Sequence, residues 1–411
     1  MKFDIMKFSF TIIIFVSWST LTTANESQIS LEFPTYDVNE VEHLCKNEMI
    51  SFNFTNSKII SINRNFISSP WITCLNFTNT QLQFIEEGAF NNLPNLTQLI
   101  LSNNDFTDNL FDFGGHENLK ILILNNAARH NYYEFVSEVV RISEEYPNLE
   151  ILSVRGNYIS DLKTSLEKTP FPKLKILDLS SNAITSTNFV RLLPNSLYFL
   201  DLYDNSLSSL VFYRKKVSLL VLNLDNNNLK YVKKYNNSRD HSDNPYNRHY
   251  RYRYNNNQFD PVFNFYGLEM TGLENLHYLS ISQNNISFIE SNAFEDTNEL
   301  IYLNLSTNYI TYLNSETFEK LQSLRSLDLS FNRLEDVPQI SNETVISTLF
   351  LNCNNIKNII SNAFVQMPKL TKLLLGGNQI NEINIKAFAH LSFFRDIRSV
   401  EQIKFFTGRN K

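Results

Sequence analysis

Apolar residues return along this chain in a fixed frame of eleven positions: apolar, two variable, apolar, one variable, apolar, two variable, Asn, one variable, apolar. Residues 174–184 read LKILDLSSNAI, residues 300–310 read LIYLNLSTNYI and residues 324–334 read LRSLDLSFNRL. Thirteen copies begin at Met49, Ile72, Leu96, Leu119, Leu149, Leu174, Leu197, Leu219, Leu276, Leu300, Leu324, Ile346 and Leu370, most of them 22–25 residues apart. A repeat of that length predicts a solenoid in which each copy is one turn of a coil. The fourth and sixth positions alternate with a variable one, as on a short strand where alternate side chains share a face. Leu177 and Leu179, or Leu327 and Leu329, therefore point inward. Asp178 and Asp328 between them point outward, and Ser330 is expected to be exposed. One copy cannot bury its apolar face alone, whereas stacked copies form a continuous core and a parallel sheet.

The ninth position is Asn in ten of the thirteen copies: Asn104, Asn157, Asn182, Asn205, Asn227, Asn284, Asn308, Asn332, Asn354 and Asn378. The chain leaves the strand there and strands backbone polar groups inside. An amide, with two donors and an acceptor, can satisfy them in adjacent turns. These asparagines are thus read as structural. Ser57, Thr80 and Ala127 depart from the rule.

The second half of each copy narrows the reading. IEEGAFNNLPNL, IESNAFEDTNEL, LNSETFEKLQSL and IISNAFVQMPKL each carry a Phe and then a Leu or Met before the next copy. With the eleven-residue frame, this resembles the extracellular "typical" class of leucine-rich repeat, as in Toll receptor ectodomains and the insect adhesion proteins chaoptin and connectin. The resemblance implies an α/β solenoid: a curved horseshoe with a short-stranded parallel sheet on its concave face. It also implies a binding module without catalytic activity. The four-Cys caps usual at both ends of that family are missing here, since the chain has 3 Cys in all.

Two steps are long. Between Leu119 and Leu149, Phe135, Val139 and Ile142 recur at helical spacing among Glu134, Glu138 and Glu144, which predicts an amphipathic helix on the outer side. Residues 230–262 interrupt the eighth copy with a stretch dominated by Asn, Tyr and Arg and without apolar period, read as a surface loop. From Lys230 to Arg253 it holds seven basic residues and two acidic ones, +5 in a chain of −6. Tyr246, Tyr250, Tyr252 and Tyr254 alternate with its basic residues, a pattern suited to an anionic partner, nucleic acid or sulfated glycan. The loop is expected to fold over the acidic residues of the middle copies.

Residues 1–24 begin with Lys2 and Lys7, continue with an apolar run from Phe8 to Val16 and end on Thr22 and Ala24, the pattern of a secretory signal peptide. Residues 25–48 are then an N-terminal cap region, 49–229 and 263–393 the two parts of the solenoid, and 394–411 a degenerate last turn. N-x-Ser/Thr occurs at Asn25, Asn53, Asn76, Asn95, Asn236, Asn285, Asn304 and Asn342, which fits an extracellular glycoprotein. Secretion favours a disulfide between Cys45 and Cys74 that closes the open end, the alternative being two free thiols; Cys353 is read as a semi-buried thiol.

A pI of about 5.7 argues against a general nucleic-acid binder. The 7 His are scattered without metal-ligand spacing, and no nucleophile elbow, P-loop or dinucleotide glycine pattern occurs, so neither catalysis, metal nor cofactor is expected. Recognition then falls to outward strand positions. Phe199, Asp201, Tyr203, Asp204, Asn223, Asp225, Tyr278, Tyr302, Asp328 and Phe350 form the candidate patch, aromatic residues with acidic neighbours. Two functions follow: a secreted receptor or decoy for a protein or glycan ligand in innate immunity or Toll-type signalling, and a matrix or adhesion protein that self-associates as a homodimer.

Overall fold

The computed structural model describes residues 45, 50–129, 138–212, 217–234 and 267–391. The expected signal peptide, most of the cap region and of the insertion, and the C-terminal turn lie outside them. Thirteen strands form one parallel sheet. Each strand is the third to fifth position of one copy, as in Cys74–Asn76, Ile176–Asp178 and Ser326–Asp328. Like positions pair with like: Leu177 with Leu200, Leu222 with Leu279 and Leu303 with Leu327. The inward leucines are buried in one core that runs the length of the coil, except in the last copy, where Leu373 is half-buried. The phenylalanines of the second half form its other wall, Phe294 on Phe318 at 6.2 Å and Phe364 on Phe388 at 5.5 Å between ring centroids.

The asparagine ladder is built as the sequence implies. Asn332 Nδ2 donates to the carbonyls of Leu305 (2.9 Å) and Leu329 (3.1 Å), and its Oδ1 accepts from Ile310 N–H (3.0 Å). Asn104, Asn182 and Asn378 repeat the pattern between their own and the preceding turn. Thr80 substitutes in part, its single hydroxyl proton shared between the Phe77 carbonyl (2.9 Å) and Asn104 Oδ1 (3.0 Å).

Another feature is invisible in the apolar frame. The eighth residue of all thirteen copies is left-handed: Asn56, Asn79, Asn103, Asn126, Gly156, Ser181, Asp204, Asn226, Gln283, Thr307, Phe331, Cys353 and Gly377 have φ between 49° and 73°. The coil reverses there between strand and asparagine. Asn, Asp and Gly suit that conformation. Phe331 does not, and holds it at a cost of about 1–2 kcal/mol.

A second layer of short strands lies across the core from the concave sheet. It includes Ser61–Ile62 with Phe84–Ile85, Asn358–Ile359 with Glu382–Ile383, and Glu138–Ile142 with Ile159–Thr164. The last pair overturns the helix expected in the long fourth step, whose residues 130–137 lie outside the described ones. Val140 and Ile142 turn inward around an exposed Arg141, a period of two. The β-branched run Val139–Val140 and a neighbouring strand to pair with outweigh a helical spacing carried by only three residues. Among the described residues the helical part of the α/β expectation reduces to two 3-10 helices, Asn188–Leu192 and Ile385–Phe388.

The insertion is anchored in this second layer. Tyr231–Lys233 pairs with Gly267–Glu269 on one side and Phe288–Ile289 on the other, and Leu210 bridges to Leu268. The chain thus leaves and re-enters on the far side of the core from Asp201, Asp204 and Asp225, and the expected fold-over falls on residues 235–266, outside the described ones. Val232 and Leu268 are apolar anchors with no exposure, which fix both ends of the insertion inside the core.

Candidate functional site

The candidate patch occupies the outward face of adjacent strands in the seventh to twelfth copies. Phe199, Tyr278 and Tyr302 stand in the third-position column, Asp201, Asn223, Asp328 and Phe350 in the fifth, and Tyr203 and Asp225 in the seventh. Asp204 is set apart at the left-handed eighth position, where its carboxylate accepts from Asn226 Nδ2 at 2.6 Å.

The fifth-position polar residues have a structural task that the sequence reading missed. Asp201 Oδ1 accepts from Tyr203 N–H at 2.9 Å, Asn223 Oδ1 from Asp225 N–H at 3.1 Å, Asn304 Oδ1 from Ser306 N–H at 3.0 Å and Asp328 Oδ1 from Ser330 N–H at 2.8 Å. Asn53, Asn76 and Asp178 do the same for Thr55, Thr78 and Ser180. Asx at this position ends each strand by capping the amide two residues on. The preference for Asp and Asn in one column was the signal that could have shown it. Ser330, expected to be exposed, is buried, because its hydroxyl also donates to Asp328 Oδ1 at 2.6 Å.

Neighbouring turns take up part of what remains: Ser153 Oγ donates to Asp178 Oδ2 at 2.9 Å, and Asn223 hydrogen-bonds the Asp201 carboxylate. Among the described residues, no ion pair involves Asp178, Asp201, Asp225 or Asp328. Burial, with the charge of Asp178 on the adjacent strand, pushes Asp201 up to about 7. Burial also pushes Asp225 up to about 6, against stabilising hydrogen bonds from Ser280 Oγ (2.6 Å) and Ser282 N–H. Asp328 is raised by burial against the two bonds from Ser330. Desolvation thus outweighs hydrogen bonding at all three. Beside them, Tyr278 and Tyr302 pack with ring centroids 6.4 Å apart, and the Lys372 ammonium lies 5.0 Å from the centre of the Phe350 ring.

The two ends of the concave face differ. In the third to fifth copies the outward Ile100, Ile123 and Ser153 have no exposure at all. From the seventh copy on, Asp201, Asn223, Tyr302, Asp328 and Phe350 are half-buried and Tyr203 and Lys372 are exposed. Cys45 and Cys74 are bonded, with Cα atoms 5.7 Å apart, and belong to the apolar cluster on the concave side with Ile100 and Ile121. Among the described residues at this end of the coil, Phe52 in the first strand is 41% exposed. Cys353 is a half-buried free thiol.

These carboxylates give a pH dependence with a defined sign. An acid with a folded pKa above its unfolded value binds its proton more tightly when folded. The stability it confers is complete below about pH 4 and is lost as pH rises through about 6–7. His116, lowered by burial, acts in the opposite sense. Asp201→Asn keeps the cap on Tyr203 and isolates the effect. The wild type is expected to lose about 2–4 °C more in Tm than this variant between pH 5 and pH 8. Parallel melting curves for the two across that range would show Asp201 to be ordinary.

Comparison with known families places the repeats. The family described as "Leucine rich repeat" matches residues 274–334 and 344–395, a second of the same description matches 172–187, and the "BspA type Leucine rich repeat region" matches 31–138. This is a leucine-rich repeat protein. Among solved structures, it resembles a chain of the Drosophila Toll–Spatzle complex, with 18% identity, 79% of this chain and 41% of that one covered, and a TM-score of 0.51. It also matches a chain of the octameric complex of Latrophilin 3, Unc5D and the FLRT2 leucine-rich repeat, with 22% identity, 73% of each chain covered and a TM-score of 0.42. The first likeness is one of fold, and this chain spans less than half of the Toll-complex chain. No curated protein matches the sequence. Leucine-rich repeat proteins are typically binding scaffolds rather than enzymes. Among the described residues, no helix is long and apolar enough to cross a membrane, and no three His, Cys, Asp or Glu side chains group as metal ligands.

Proposed function

We propose that this chain is an extracellular, non-enzymatic binding protein that engages a protein partner on the concave face of its seventh to thirteenth copies. The observation that carries this reading is the set of raised carboxylates, Asp201, Asp225 and Asp328, beside Tyr302 and Phe350 on the half-open part of the sheet. They bear a desolvation cost that a Lys or Arg of a partner would offset, and the rings supply rigid contact area for its apolar neighbours. The disulfide suits an oxidising compartment. The Toll likeness agrees with a receptor or decoy role in immunity or development, and a glycan ligand is the variant of this reading in which the rings do most of the work.

The test is affinity capture from extracellular fluid with the purified protein and with an Asp201→Asn, Asp225→Asn, Phe350→Ala variant. The wild type is expected to retain a discrete partner whose affinity falls at least about 10-fold in the variant, with a loss of this size typical of central contacts. Binding should also weaken as salt screens the carboxylates. Equal retention by both proteins would remove the concave patch as the binding surface. A second reading, self-association in adhesion or matrix, is favoured by the edge position of the first strand, where Ile50 and Phe52 are exposed, as is Trp71 in the turn that follows. A stable dimer without ligand, lost on Phe52→Lys, would support it instead.

A further inference from the structure

The folded coil treats its N-x-Ser/Thr asparagines very differently. Asn76 is buried, and its Oδ1 accepts from both the amide and the hydroxyl of Thr78. Asn304 Nδ2 donates to Ser280 Oγ at 3.0 Å, and Asn95 Nδ2 to the Pro70 carbonyl at 2.6 Å. In each of these the nitrogen that would carry a sugar is committed or enclosed. Asn342 is exposed, and its side chain makes no hydrogen bond among the described residues. Asn285 is half-buried and likewise without a side-chain hydrogen bond among them. Asn25 and Asn236 lie outside the described residues.

Asn285 also has a particular neighbour. It occupies the tenth position of the ninth copy, and the same position of the next two turns holds Tyr309 and Arg333. The turns are tied together there: Tyr309 N–H donates to the Ile286 carbonyl at 2.8 Å and Arg333 N–H to the Ile310 carbonyl at 2.9 Å. The Arg333 guanidinium lies 4.4 Å from the centre of the Tyr309 ring. Tyr309 is nevertheless 44% exposed. In the column Asn285, Tyr309, Arg333, the exposed ring stands between the turn that carries Asn285 and the turn that supplies the cation.

We propose that Asn285 is an N-glycosylation site and that Tyr309, backed by Arg333, is the platform on which its first N-acetylglucosamine lies. This rests on the extracellular reading. The transfer takes the sugar from a lipid-pyrophosphate-linked oligosaccharide: the Asn285 Nδ2–C1 bond forms, the C1–O bond to the pyrophosphate breaks, and the amide gives up one proton as the lipid pyrophosphate leaves. Stacked turns are about 5 Å apart, within reach of one sugar ring. One face of N-acetylglucosamine presents C–H groups, which carry partial positive charge and meet the negative face of an aromatic ring. The Arg333 guanidinium, 4.4 Å from the ring centre, restrains Tyr309 by a cation–π contact.

The experiment uses the full chain made through a eukaryotic secretory route. Glycopeptide mass spectrometry is expected to find Asn285 and Asn342 occupied and Asn76 unmodified. A peptide:N-glycanase is then applied under native conditions. Release from Asn285 is expected to be about 5-fold slower in the wild type than in Tyr309→Ser, the ratio given by a contact worth about 1 kcal/mol. Release from Asn342 is the internal control and should not change. If Tyr309→Ser is not secreted, Arg333→Gln, which unbacks the ring, should speed release at Asn285 in the same sense. An unmodified Asn285, or equal release rates with and without the platform, overturns the proposal. When Asn342 is occupied in that case, the extracellular reading stands and only the platform falls; when both are bare, the two fall together.

Discussion

Leu329→Ala is expected to cost about 2–5 kcal/mol, the range for truncating a buried Leu in a core that cannot collapse. Leu329 has no exposure and sits in the eleventh copy with complete turns on both sides. Its backbone is pinned from three directions: its N–H donates to the Phe350 carbonyl at 2.9 Å, and its carbonyl accepts from Asn332 and from Asn354. The strand therefore cannot move inward to fill the space left by the side chain. Chemical unfolding of wild type and variant measures the difference. A cost under about 1 kcal/mol would mean that the turns relax against each other far more than a close-packed core allows.

Asn332→Ala is expected to cost about 2 kcal/mol without removing any apolar contact. The amide is the partner of one buried N–H, that of Ile310, and of two buried carbonyls, those of Leu305 and Leu329. Each unpaired buried group costs about 1–3 kcal/mol; the carbonyls of Leu305 and Leu329 keep second donors in Asn308 and Asn354, so the main loss is the partner of the Ile310 N–H. Asn332→Asp separates the roles, because a carboxylate can still accept from Ile310 but cannot donate to the carbonyls. It should fall at least as far as the alanine. Ser330→Ala, two residues away, loses one bond to a charged acceptor and should cost about 1 kcal/mol. If Asn332→Ala proved as mild as Ser330→Ala, the ladder would be incidental to stability.

The sequence by itself determined the thirteen strands, which residues of each face inward, and the role of the asparagines. A solenoid contacts only its neighbours, so every copy meets nearly the same surroundings and a letter keeps its meaning from turn to turn. Leu177 and Leu329 could be placed without a structure for that reason. The outward columns were legible as far as membership: Asp201, Tyr302 and Phe350 do share one face. Their work as caps, their half-burial and the raised carboxylates were not legible, because they depend on what packs beside each residue in space.

The tertiary structure alone decided the segments that break the period. Glu138–Ile142 became a strand because Ile159–Thr164 lay beside it, and no letter within the segment names that partner. Gly267–Glu269 returned from the insertion to a place between Leu210 and Val232, a neighbour far away in sequence. The left-handed eighth position was half-written in the sequence, as Asn, Asp or Gly in eight copies. In the remaining five, Phe331 among them, the ladder of backbone bonds to the next turn imposes a conformation that the side chain by itself would avoid.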